Sequence, residues 1–133
     1  MSVIGPWIEH LTCDEHLTRR QAEEMLEGWD LIPFIEDDVH MATIIKRGAE
    51  VHFAAYAQYR SKGNITARRL RAFLLPILES EGFLVTKLGA KDTATTRFIE
   101  RLGFVEMGED LAGTKTYMMT EINPLEKSCT TPQ

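Results

Sequence analysis

The apolar residues of this chain change their spacing twice, and that change limits the fold more than any single residue does. Before Gly28 they recur with a helical period, Leu17, Ala22, Met25 and Leu26 forming one stripe. From Ile32 to Tyr56 they alternate in the manner of strands and are interrupted by two turn signals, Asp37-Asp38 and Arg47-Gly48. Beyond Ile65 the helical period returns through Leu70, Phe73, Leu74, Ile77 and Leu78. A chain that carries both periods in succession is neither all-α nor all-β. The class it implies is α+β, one mixed sheet covered by helices.

Element by element, residues 3–11 read as a short strand carrying Trp7. A helix is expected from Thr12, because Thr12 and Glu15 match a capping box and Asp14 and Glu15 place negative charge in the first turn; Gly28 ends it. A loosely alternating stretch over residues 32–36 precedes a hairpin of residues 40–46 and 50–56. Residues 63–79 form a second helix, with Arg68, Arg69 and Arg71 facing outward, Pro76 as a kink and Gly82 as the stop. A buried strand follows at 83–90. The next helix has Asp92 as N-cap, Ala94, Phe98 and Leu102 on one side, and Gly103 in the left-handed position after it. Residues 104–107 and 116–122 are strands about a turn at 108–113, and the polar tail 123–133, with its prolines, is expected to be poorly ordered.

With 133 residues, 44% hydrophobic and 26% charged, the chain suits one soluble domain. A net charge of −5 argues against nucleic acid as a general partner, since phosphate neutralisation needs a surplus of Lys and Arg. The two cysteines, Cys13 and Cys129, have no metal-ligand spacing and read as reduced thiols. The N-terminus has neither a basic region nor a long apolar run, and no window has the length of a membrane span. These features point to the cytoplasm.

Two segments, in order and at the expected separation, resemble the GNAT acyltransferases. In the first, a strand leads into Tyr59-Arg60-Ser61-Lys62-Gly63, followed by Asn64, Ile65, Thr66 and Ala67. That is similar to the family's Arg/Gln-x-x-Gly-x-Gly/Ala turn, which opens a helix. The physical logic stands without the family: a basic turn at a helix N-terminus attracts phosphate, because the first backbone N–H groups lack intrahelical partners. In the second, Arg97 followed by Leu102-Gly103-Phe104 resembles the family's Arg-x-x-x-x-Leu-Gly-Phe, a helix cap whose aromatic side chain returns to the core.

The resemblance implies a single GNAT-like domain over residues 1–122, a mixed central β-sheet flanked by helices, and acetyl-CoA as the acyl donor. It places the donor's pyrophosphate on Arg60, Ser61, Lys62, Gly63, Asn64, Ile65 and Thr66. It implies transfer of the acetyl group to a small amine or a protein amine. Three positions depart from the family pattern. Ile65 stands where a glycine or alanine lets the backbone approach the pyrophosphate, Asp92 where an asparagine is frequent, and Ile99 where a tyrosine would protonate the departing thiolate. The implied enzyme therefore has degenerate catalytic motifs. In length and in these losses the chain is also similar to shortened GNAT-like proteins of bacteriophages, including ones linked to virion or head assembly. That resemblance implies the alternative, a non-catalytic structural module acting through a protein partner, found in the host cytoplasm or the virion. Sharing of the last strands between subunits, common in the fold, is compatible with a homodimer.

Attack of an amine on a thioester needs a base for the ammonium proton and an acid for the thiolate. Glu50 and His52 are the candidate bases, because the strand before the turn borders the acceptor site in the family. Imidazole is the side chain best suited to that exchange. Tyr117, on the last strand, is the candidate acid, provided its hydroxyl reaches the thiol. His10, His16 and His40 are isolated and suggest no metal site; Asp37-Asp38 is a turn; Trp7, Trp29 and Phe34 are expected to cover the sheet as core residues.

Overall fold

The computed structural model of the protein describes residues 3–59, 65–89 and 93–120. The turn residues Arg60, Ser61, Lys62, Gly63 and Asn64, the cap Asp92 and the tail lie outside them. Two compact units divide the chain, Met1–Ile65 and Thr66–Gln133. Each combines helices with strands, so the class is α+β as expected.

The first unit begins with a helix, α1 (Gly5–Glu9), and not with the strand expected there. Ile4, Trp7, Ile8 and Leu11 recur at the i, i+3, i+4, i+7 spacing of one helix face. Pro6 lies in the first turn, where a helix loses no bond to it. Trp7 and Leu11 are buried, and the indole N–H of Trp7 donates to the carbonyl of Thr43 at 2.8 Å. The helix widens into a π-turn, His10–Asp14. Thr12 does not cap anything: its hydroxyl donates back to the Ile8 carbonyl at 2.7 Å. His16 then takes a left-handed φ of 58°, and a new helix, α2 (Arg19–Met25), starts from Thr18. The capping box closes here, with Thr18 Oγ1 accepting from Gln21 N at 3.1 Å and Gln21 Oε1 accepting from Thr18 N at 2.9 Å. The single helix expected from Thr12 is thus two, because Thr18 and Gln21 form the box that Thr12 and Glu15 do not.

Three antiparallel strands follow in spatial order β1 (Asp30–Glu36), β2 (Val39–Arg47), β3 (Glu50–Ala55). Asp37 and Asp38 close the first hairpin with φ of 52° and 65°, the doubly left-handed geometry of a tight hairpin turn. Gly48, at φ 62°, helps close the second. Ala42, Thr43, Ile44 and Ile45 are all buried, so β2 is covered on both faces. Partner residues share a face, and the register therefore sets up rows: Pro33–Thr43–Ala54, then Leu31–Ile45–His52, then Arg47–Glu50 at the strand ends. Trp7, Leu11, Ala22, Leu26, Ile45 and Ala54 form one core cluster on that face, with Trp29 packed at its margin. The Arg47–Glu50 row lies beyond the cluster.

The second unit is built on α3 (Ala67–Glu81) and α4 (Thr93–Leu102) with β4 (Leu84–Leu88), β5 (Val105–Glu109) and β6 (Lys115–Met119). β6 lies between β4 and β5 and is antiparallel to both. Leu70, Leu74 and Leu78 are the buried stripe of α3, each contributing roughly 1.5–3 kcal/mol. Pro76 lies on the exposed side of α3 and does not end it; Gly82, at φ 87°, does. Arg68 and Arg69 are exposed as expected, but Arg71 turns inward. Its guanidinium donates to the Arg101 carbonyl at 2.6 Å and so satisfies one of the last carbonyls of α4. Gly103 has φ 114°, and Phe104 returns to the core at 4% exposure, as the Leu-Gly-Phe cap requires.

Candidate functional site

Period-two geometry puts Glu50 and His52 on one face of β3, and their side chains meet. His52 Nε2 donates to Glu50 Oε2 at 2.7 Å, with side-chain exposures of 24% and 28%. A carboxylate only accepts, so in the neutral imidazole this bond sets the proton on Nε2 and leaves the lone pair on Nδ1. Among the described residues nothing is hydrogen-bonded to Nδ1. The two candidate bases are therefore one unit: an imidazole that accepts a proton at Nδ1 and a carboxylate that stabilises the resulting cation.

Two residues of this site were not singled out as functional from the sequence. Trp29 meets His52 edge-to-face, ring centroids 5.4 Å apart and planes at 74°. The Arg47 guanidinium lies over the Trp29 ring, 4.2 Å from its centroid. Trp29 is only half-buried, whereas Trp7 and Phe34 are the core residues they were expected to be. The available signal was the hairpin register, which sets Arg47 across from Glu50 once the Arg47-Gly48 turn is placed.

The second candidate region is the start of α3. Thr66 is its N-cap, Oγ1 accepting from Arg69 N at 3.2 Å. The amides of Ala67 and Arg68 have no partner among the described residues, and the first turn carries no acidic residue. It carries Arg68 and Arg69, charges that the positive end of a helix dipole disfavours and that a bound anion offsets. That donor set fits a phosphate group. Ile65, immediately before the cap, is half-buried.

Tyr117 lies mid-strand in β6 between Thr86 and Glu106, with no exposed surface. Ile99 is buried in α4. His10 bonds to Asp14 at 2.9 Å on the surface, and His40 to Thr43 Oγ1 at 2.8 Å in the interior. Among the described residues no three His, Cys, Asp or Glu side chains are grouped to hold a metal, and no helix is long and apolar enough to cross a membrane.

No protein-family model matches the chain, and no curated protein matches it. Its structure matches solved ones. A ribosomal-protein-alanine N-acetyltransferase from Brucella melitensis superposes with a TM-score of 0.61 over 90% of this chain and 91% of that one, at 12% identity. A spermidine N-acetyltransferase from Vibrio cholerae, in a point-mutant form, gives 0.65 over 96% of each chain, at 11% identity. A GNAT-family acetyltransferase from Streptococcus agalactiae gives 0.56 over 85% and 78%, at 14% identity. Likeness on this scale spans both units of the chain, and what is shared at such identities is the architecture. The protein has the GNAT fold, the fold of these N-acetyltransferases.

Proposed function

We propose that the protein is an N-acetyltransferase that moves the acetyl group of acetyl-CoA to an amine, with His52 as base. The observation that carries this reading is the 2.7 Å bond between His52 and Glu50 on the strand that leads into the basic turn. A histidine with its proton committed to a carboxylate presents a lone pair on the other nitrogen, as proton abstraction from an ammonium requires. Acetyl-CoA, when bound, supplies the acetyl group as a thioester. Arg60, Ser61, Lys62, Gly63 and Asn64 are proposed to hold its pyrophosphate, together with Thr66 and the free amides at the start of α3; Ile65 is the bulky departure in that turn. Tyr117, fully buried, can give a proton to the leaving thiol only if the strands around it open to admit the thiol, and its Phe variant tests that: a fall in kcat at unchanged acetyl-CoA affinity supports the role, unchanged turnover removes it. The non-catalytic, phage-type alternative has no support in the structures the chain resembles.

Calorimetric titration with acetyl-CoA tests the reading, with Arg60→Ala as control. Binding in the micromolar range that weakens in the variant is the expected result. Absence of binding at millimolar acetyl-CoA overturns it.

A further inference from the structure

We infer that the Arg47–Glu50 end of the first unit's sheet binds a zwitterion, a free α-amino acid whose ammonium meets Nδ1 of His52, on the ring edge away from Glu50, and whose carboxylate meets Arg47. The inference deepens the acetyl-transfer reading and rests on it for the acceptor's role as substrate.

Opposite charges on facing residues of a hairpin normally pair with each other. Arg47 and Glu50 are such partners in the register, yet no ion pair joins them among the described residues. Each is held by something else. The guanidinium lies over the Trp29 ring, 4.2 Å from its centroid, and the carboxylate is bonded to His52 at 2.7 Å. Trp29 and His52 in turn lock each other edge-to-face. The result is a positive and a negative group held apart on one face, with an aromatic floor between them.

The chemistry of each half is specific. A guanidinium carries a fork of N–H donors that takes a carboxylate by two parallel bonds, and lying over an aromatic ring does not use up that fork. A lysine at this position would offer a point charge and no such fork. His52 Nδ1 accepts from the ammonium, and the Glu50 carboxylate on the far edge of the ring favours the positive charge that the imidazole then shares. An acceptor with an ammonium and a carboxylate on the same carbon satisfies both ends at once. Polyamines would set a second cation against Arg47, and a peptide N-terminus would leave Arg47 without its anion, so the site discriminates against both.

The test is equilibrium binding without acetyl-CoA, which needs no turnover. Each standard amino acid is titrated by ligand-observed NMR, and the tightest binder is compared with its decarboxylated amine and its deaminated acid. The inference expects the intact amino acid to bind at least about tenfold more tightly than either half. Arg47→Met, which keeps a flexible apolar chain over Trp29, should erase the advantage over the amine, Arg47→Lys should restore only part of it, His52→Ala should erase the advantage over the acid, and Glu50→Gln should reduce it. No binding by any amino acid, or equal binding by the amine, overturns the inference. Acetyl transfer to some other amine would leave the acetyltransferase reading intact in that event. Amino-acid binding with these variant effects but no transfer upholds the site and sinks the acetyltransferase reading.

Discussion

Replacing Glu50 by Gln removes one charge and almost no volume, and its effect can be worked from the geometry. The pair is a charge-assisted hydrogen bond at 2.7 Å with 24% and 28% of the side chains exposed. In the proposed transfer the imidazole becomes an imidazolium, and the carboxylate then stabilises a full positive charge. Two unit charges some 4 Å apart interact by about 4 kcal/mol at an effective dielectric constant of about 20. A glutamine still accepts the hydrogen bond, and the exposed quarter of each side chain admits water, so roughly half of that is lost. About 2 kcal/mol corresponds to a thirtyfold fall, approximately, in kcat/KM. Folding stability should change by less than about 0.5 kcal/mol, because the bond survives in neutral form on a partly exposed face. Thiol release from acetyl-CoA measures the first quantity and thermal unfolding the second. Long-range proton–nitrogen NMR should show the Nε2–H tautomer of His52 in the wild type. An unchanged kcat/KM would refute the reasoning. So would a loss of activity that merely tracks a loss of stability.

Three further outcomes follow from the fold. Asp38→Gly relieves a left-handed φ of 65° at the cost of a more flexible unfolded chain, and should stabilise the protein by about 0.5–1 kcal/mol in urea denaturation. Gly5→Ala directs its new methyl group into the Tyr56 hydroxyl, so the ring must move and stability should fall by about 1–3 kcal/mol on the same assay. Arg71→Met removes the charged donor to the Arg101 carbonyl but also removes the Nε, which is buried with no partner among the described residues; the two effects leave a net loss of about 1 kcal/mol, measured by thermal unfolding.

Much of the fold was legible because the signals were local and redundant. The β2–β3 hairpin followed from alternation plus Arg47-Gly48, the turn before β2 from Asp37-Asp38, and the ends of α3 and α4 from Gly82 and Gly103, both left-handed. The N-terminal region was not, for an identifiable reason. Thr12–Glu15 and Thr18–Gln21 both spell a capping box, and only the backbone break at His16 decides between them. The helical spacing of Ile4, Trp7, Ile8 and Leu11 was present in the sequence, and Pro6 in the first turn agrees with it, yet so short a segment also suits a strand. Arg71 was assigned to solvent from helical phase alone, which carries no information about a carbonyl thirty positions away. At the candidate site, the strand position of Glu50 and His52 was readable from the period of two. Their hydrogen bond was not, and neither was the position of Arg47 over Trp29, since both depend on rotamers and on the chain that packs around them.

This GNAT-fold chain is proposed to transfer acetyl groups with His52 as its base. Thiol release from acetyl-CoA, followed across a panel of amines with wild-type protein and His52→Ala, tests it most directly. The expected result is turnover in the wild type, loss of nearly all of it in the variant, and an acetyl-CoA affinity that the substitution leaves alone. Turnover by His52→Ala at the wild-type rate, or none by the wild type with any amine, would contradict it.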